Sequence, residues 1–282
     1  MAYTTIDKPK LHFNTKLYTG NGGTQSITGV GFAPDWTLLK DRNDTSGTRA
    51  YDTVRGAIKR IRTDLTDAEI DDSDGLTAFG SDGFTLGADG ATNANSTLYV
   101  SWNWKAGGTA SSNSDGSITS SVSANTTAGF SIVSWVGNSS ASTVGHGLGS
   151  VPKMIIVRNR TDAEDWIVYH GANTSAPETD YLVLNLTNAT GDSSGVWNDT
   201  APTSSVFSVG TANSTNGSSD NMIAYCFAPV TGFSAMGSYV GNGNSDGPVI
   251  LSGAAGFSLI DLPQIIPYLF QVIQSYFLIQ KN

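Results

Sequence analysis

Leu17-Tyr18-Thr19-Gly20-Asn21 returns as Ser134-Trp135-Val136-Gly137-Asn138, and once more as Ser238-Tyr239-Val240-Gly241-Asn242. Each ends in an aromatic residue, a β-branched residue and Gly-Asn. A second block, Pro34-Asp35-Trp36-Thr37-Leu38-Leu39-Lys40-Asp41-Arg42, matches Pro152-Lys153-Met154-Ile155-Ile156-Val157-Arg158-Asn159-Arg160. Phe84-Thr85-Leu86-Gly87 matches Phe207-Ser208-Val209-Gly210, and Val100-Ser101-Trp102-Asn103-Trp104 matches Ile223-Ala224-Tyr225-Cys226-Phe227. The offset is 117 residues at the first block, 118 at the second and 123 at the last two. Four blocks in one order at near-constant offset mark a duplicated unit.

This repeat divides the chain of 282 residues. Residues 1–15 read as an N-terminal arm, 16–107 as copy one and 129–231 as copy two. Residues 108–128, nearly all small and polar, read as a linker. A third copy begins near Gly232, within residues 232–282. Inside each copy the apolar runs are short, rich in Val, Ile, Thr and aromatics, and separated by Gly, Asn and Asp. That pattern predicts an all-β, mainly antiparallel fold, as tandem β-sandwich modules of jelly-roll or lectin-like kind. In Val100–Trp104, period-two alternation puts Trp102 and Trp104 on one face. One short helix is expected over Asp52–Ile61, where Val54, Ile58 and Ile61 fall at helical spacing, although Gly56 weakens it.

The composition narrows the partners. Charged residues make up 14%, against about 25% in typical soluble domains. The net charge is −9, which gives no general attraction for nucleic acid or anionic membranes. The basic group Arg55, Lys59, Arg60 and Arg62 reads as the solvated face of the short helix. The single cysteine, Cys226, excludes an internal disulfide and reads as a small buried hydrophobe. The N-terminus has no apolar signal-peptide core. After Pro263 and Pro267, Tyr268–Ile279 forms an apolar element of about a dozen residues. A membrane span needs about 20, so this tail is expected to dock on the core or on another subunit.

Catalytic and metal signatures are sparse. Asp67–Gly75 is acidic but lacks EF-hand spacing. It reads as a solvated turn, with a calcium site between loops left open. His12, His146 and His170 are not at metal-ligand spacing, and no nucleophile elbow or phosphate loop is present. Gly20-Asn21-Gly22-Gly23 reads as a hairpin turn. No catalytic residue, metal or cofactor is expected. Sugars bind through ring stacking and neutral hydrogen-bonding groups, which makes Trp166, Tyr169 and His170 the glycan-binding candidates; the competing reading places them in the core. In a strand, Trp166 and Val168 share one face and Tyr169 takes the other.

Several stretches carry a family resemblance. They include Met1–Asp7, Phe79–Gly87, Trp102–Gly108, Val144–Gly149 and Ala201–Phe207. Over residues 1 to about 248 the chain resembles repeat modules of marine bacteriophage tail-fibre and other virion-surface proteins. The resemblance implies a non-enzymatic virion-surface protein, a fibre or adhesin that binds host-envelope glycans. It implies homo-oligomers and contacts with other virion proteins, with no nucleic acid partner and no membrane span. A structural head or tail component without a receptor is the alternative. A glycan-degrading enzyme comes third, because it needs paired carboxylates. The third copy departs from the pattern: after Gly241–Pro248, where another aromatic-Gly-Phe-x-Pro segment and strand belong, the apolar tail follows.

Overall fold

The computed structural model describes residues 4–241 and residue 243. The apolar tail lies outside them. After a 3₁₀ turn (Pro9–Leu11), copy one supplies β1 (Phe13–Thr19), β2 (Gln25–Thr28), β3 (Trp36–Asp41), β4 (Arg49–Asp52) and β5 (Gly56–Arg62). It continues with β6 (Ile70–Asp71), β7 (Leu76–Gly80), β8 (Gly83–Leu86), α1 (Gly90–Asn93) and β9 (Leu98–Trp104). Two strands follow, β10 (Ser111–Asn113) and β11 (Ser120–Asn125). Copy two supplies β12 (Phe130–Val136), β13 (Ser142–Gly145), β14 (Met154–Asn159), β15 (Ile167–His170), β16 (Asp180–Val183) and β17 (Gly191–Asp192). It ends with α2 (Ser194–Trp197), β18 (Val206–Val209), α3 (Asn213–Asn216) and β19 (Asn221–Phe227).

The strands are paired antiparallel, as expected. Copy one forms a six-stranded sheet in the order β1-β9-β3-β4-β5-β6, with β2-β8-β7 as a smaller sheet. Copy two repeats the order as β12-β19-β14-β15-β16-β17, with β13-β18 as the smaller sheet. The repeat blocks therefore occupy equivalent strands.

Alternation along each central strand feeds two cores. On β3, Trp36 and Leu38 face one way and Leu39 the other; on β14, Met154 and Ile156 oppose Ile155 and Val157. Leu39 joins Ile27, Leu76, Phe84 and Leu86 beneath the small sheet of copy one. Ile155 and Val157 join Val144, Phe207 and Val209 beneath that of copy two. The opposite faces of both large sheets meet in one central core. There Trp36 stacks on Tyr225 at 4.1 Å between centroids and packs on Trp104 at 4.3 Å. The layers run small sheet, large sheet, large sheet, small sheet. The copies are halves of one β-sandwich body, rather than tandem modules on a linker.

Three expectations are corrected. Residues 108–128 are no linker, because β10 and β11 extend the large sheet of copy two to eight strands. Two of its serines, Ser120 and Ser123, are buried with their hydroxyls satisfied. Ser123 Oγ donates to Gly108 O at 2.7 Å, and Ser120 Oγ to Gly145 O at 2.8 Å. The N-terminal arm is also shorter than expected, since Phe13 opens β1 and is buried in the central core.

The third correction concerns Asp52–Ile61, which forms a hairpin from β4 to β5 rather than a helix. Asp52 Oδ1 accepts the N–H groups of Val54 and Arg55, closing a turn that Gly56 completes at φ +100°. The short helices lie elsewhere, at α1, α2 and α3, each four residues long.

The repeated Gly-Asn has a definite structural task. Asn93 of α1 donates from Nδ2 to Asn21 Oδ1 and Gly87 O, and its Oδ1 accepts from Asn21 N. Asn216 of α3 does the same with Asn138 and Gly210 O. A Cβ on Gly20 would stand 2.2 Å from Ala94 O, and one on Gly137 would stand 2.2 Å from Gly217 O. The turn reading of Gly20–Gly23 thus extends to a clamp that ties each first strand to its helix.

The copies differ at one edge. His12 O accepts from Lys105 N, so along β1 the groups of Asn14, Lys16 and Tyr18 face β9, and those of Thr15 and Leu17 face outward. In copy two the equivalent outward groups, of Ile132 and Ser134, are taken by β11. Among the described residues no strand covers this side of β1.

Candidate functional site

The three glycan-binding candidates are buried. Trp166 is 0% exposed in the central core, where its Nε1 donates to Arg62 O at 2.8 Å and the Arg158 guanidinium lies 5.7 Å from its ring. Tyr169 is 4% exposed and meets Trp197 edge-on from the opposite face of the sheet. His170 is 7% exposed, and its Nδ1 accepts from Ala172 N. Trp166 and Val168 share the central face and Tyr169 points away, as the alternation predicts. None of the three offers a ring face to a ligand, so the structure does not bring them together as a site. Burial lowers the pKa of His170 below the ordinary value.

The other singled-out groups are also internally engaged. His146 is fully buried; Nδ1 accepts from Leu148 N and Nε2 donates to Thr203 O, which fixes a neutral tautomer. Burial lowers its pKa. Cys226 is buried, and burial pushes its thiol upward. Among the described residues, no group of three or more His, Cys, Asp or Glu side chains is placed to share a metal ion. No helix among them is long and apolar enough to cross a membrane.

The acidic run and the basic run neutralise each other. Lys59 pairs with Asp71, Arg60 with Asp72 and Arg55 with Glu69. The solvated-helix reading gives way to the paired strands β5 and β6, and the solvated turn is present at Ser73 and Asp74, both exposed. A basic run followed within ten residues by an acidic one was the available signal. Arg55 also binds Asp52, which accepts from Tyr225 of copy two at 2.7 Å, and Arg160 of copy two grips Glu69 through both oxygens. Burial alone would raise the Glu69 carboxyl, but Arg160 and Arg55 outweigh it and hold its pKa below the ordinary range. This buried network joins the copies.

The surface of the described residues includes two open depressions. One, of about 470 Å³, is lined by Asp35, Thr53, Val54 and Gly108–Ala110. Asp35 is the one carboxylate among these residues. It accepts from Ala106 N at 2.7 Å, Thr53 Oγ1 at 3.1 Å and Gly108 N at 3.4 Å. Burial raises its pKa despite these bonds. The carboxylate therefore holds the start of the β9–β10 connection.

The other depression, of about 360 Å³, lies on the part of the eight-stranded sheet that copy one leaves uncovered. Ser112, Ser121 and Ser134 stand opposite one another across β10, β11 and β12, forming a row of hydroxyls. Val136 and Asn221, a cross-strand pair, are exposed beside it. Ser134 Oγ donates to Met222 O at 3.0 Å and receives Arg160 Nη1 at 3.5 Å. Sequence reasoning missed this row because residues 108–128 read as a linker.

The family model described as Domain of unknown function (DUF7483) matches residues 8–259. The chain belongs to this family. The DUF7483 match spans both copies, their shared core and the opening of the third copy. No curated protein and no solved structure matches the chain.

Proposed function

We propose that the chain is a non-catalytic virion-surface protein that binds host-envelope glycans through the hydroxyl row of β10, β11 and β12. The cross-strand alignment of Ser112, Ser121 and Ser134 carries the reading. Neutral hydroxyls match a sugar's donors and acceptors without a large desolvation penalty. Exposed Val136 offers an apolar seat for the C–H face of a ring. The site is open and shallow, which suits weak contacts that gain strength from multivalent display. The two-layered form of each half supports a lectin-like, jelly-roll relationship as part of the same proposal. Its virion placement draws on the motif resemblance.

The test is a glycan array probed with the full chain displayed multivalently, beside Ser121→Arg. The variant fills the row with a bulky cation at an exposed position. The expected result is retention of a glycan class by the parent and at least a tenfold loss in the variant, with thermal stability unchanged. Equal binding by both, or none by the parent, overturns the glycan reading. A structural virion component without a receptor is the second reading, favoured by the uncovered edge of β1.

A further inference from the structure

The third repeat begins within the described residues, and the described part after Ser234 carries no strand. Gly232-Phe233-Ser234 aligns with Gly129-Phe130-Ser131, and Ser238-Tyr239-Val240-Gly241 aligns with Ser134-Trp135-Val136-Gly137. Phe130 opens β12, which lies between β19 and β11. Phe233 instead packs on Ile6 and Ala128, with its ring 6.0 Å from that of His12. After the Val230–Ser234 bridge, residues 235–241 carry no strand; Met236 packs on the central core, and beyond it residues 237–241 are exposed, Val240 at 89%.

Among the described residues, one chain thus holds a strand-like sequence outside any sheet and a first strand without the outer neighbour that its equivalent has. Leu17 points both backbone groups outward and is 57% exposed, while Thr15 turns its C=O outward and its N–H donates to Asn14 Oδ1 at 3.0 Å, a local bond that an incoming strand would replace. Both features lie on the same side of the molecule, since Phe233 sits against His12, one residue before β1. A contact that uses one feature from each of two copies is self-complementary and closes by two-fold symmetry.

We infer that residues 237–241 of one copy, beyond the core-packed Met236, add as a strand to the open edge of β1 in a second copy, and reciprocally. The backbone supplies the ladder bonds, as in other strand additions. In the dimer, β1 takes the central position that β12 already holds within the chain. The exchange also covers an edge that would otherwise invite unspecific pairing.

The full chain is tested by light scattering after size exclusion, beside two proline variants. Val240→Pro acts on the exposed donor segment, where the fold does not depend on it. Leu17→Pro removes an outward N–H and leaves the ladder with β9 in place. The parent is expected as a dimer, and each variant at half its mass with an unchanged circular dichroism spectrum. A monomeric parent, or a dimer that survives Val240→Pro, overturns the inference. Cross-linking gives a second arm, in which differently tagged Leu17→Cys and Val240→Cys copies are mixed with a short thiol cross-linker. Products between copies support the exchange. Products only within a Leu17→Cys, Val240→Cys double variant show the segment folding back on its own β1 and overturn it. These readouts contain no glycan and stand apart from the binding test.

Discussion

Asn93 and Asn216 are small polar residues whose removal reaches far along the chain. Each side chain is fully buried and ties a helix to the Gly-Asn turn of its own first strand. Alanine leaves several buried partners unsatisfied, so each substitution is expected to cost about 2 kcal/mol. The double variant should show the sum within about 0.5 kcal/mol, because the clamps share no partners; denaturant titration checks both. Glu69 makes a pH-dependent prediction. Its folded pKa lies below the ordinary 4.5, so its contribution is complete above that value and is lost as pH falls through the folded one. Glu69→Gln should therefore cost about 2 kcal/mol at neutral pH, between a surface pair and a fully buried one. The gap to the parent should close on acidification, as followed by urea midpoints from pH 7 to pH 3. A gap of constant size would show that packing, rather than charge, explains the loss.

Among the elements, the β4–β5 hairpin separates period from conformation. Val54, Ile58 and Ile61 have helical spacing, yet Ile61 lies in the central core and Ile58 sits half-buried at φ +64°. A helix would bury Ile58 and Ile61 alike. In the observed hairpin, Ile61→Gly should lose about 4 kcal/mol. Ile58→Gly should stay within about 1 kcal/mol of the parent, because glycine relieves a conformation unfavourable for a β-branched residue. Thermal denaturation of the pair decides it. The hairpin also marks the limit of what the sequence reveals. Strands whose apolar residues alternate, such as Val100–Trp104, are legible because one face meets the core. Residues 108–128 were opaque because the stretch is tied into the sheet through two buried serines, Ser120 and Ser123, whose hydroxyls bond to backbone carbonyls and which composition reads as solvent-exposed. The hydroxyl row followed them out of view. Trp166 and Tyr169 could be assigned to opposite faces from alternation, but only a four-layered body buries both.

At the scale of the whole molecule, the shared core makes the two copies one cooperative unit. Trp36 of copy one stacks on Tyr225 of copy two, and Asp52, Arg55, Glu69 and Arg160 are bonded across the same boundary. Calorimetry should give one transition with agreeing calorimetric and van't Hoff enthalpies. Trp36→Ala should destabilise that single transition by about 3–5 kcal/mol. Two resolved transitions would mean that the copies unfold independently. The same core bears on how such a chain can arise by duplication. A lone unit would present Trp36, Leu38 and Trp104, or their counterparts, as an uncovered greasy face, and would be folded only when paired with its twin. Its survival would then depend on how many molecules a cell holds. Joining twins end to end makes that encounter intramolecular and independent of dilution. Each half is then free to diverge, one gaining a charged hairpin and the other a row of hydroxyls, while the partner guarantees the fold.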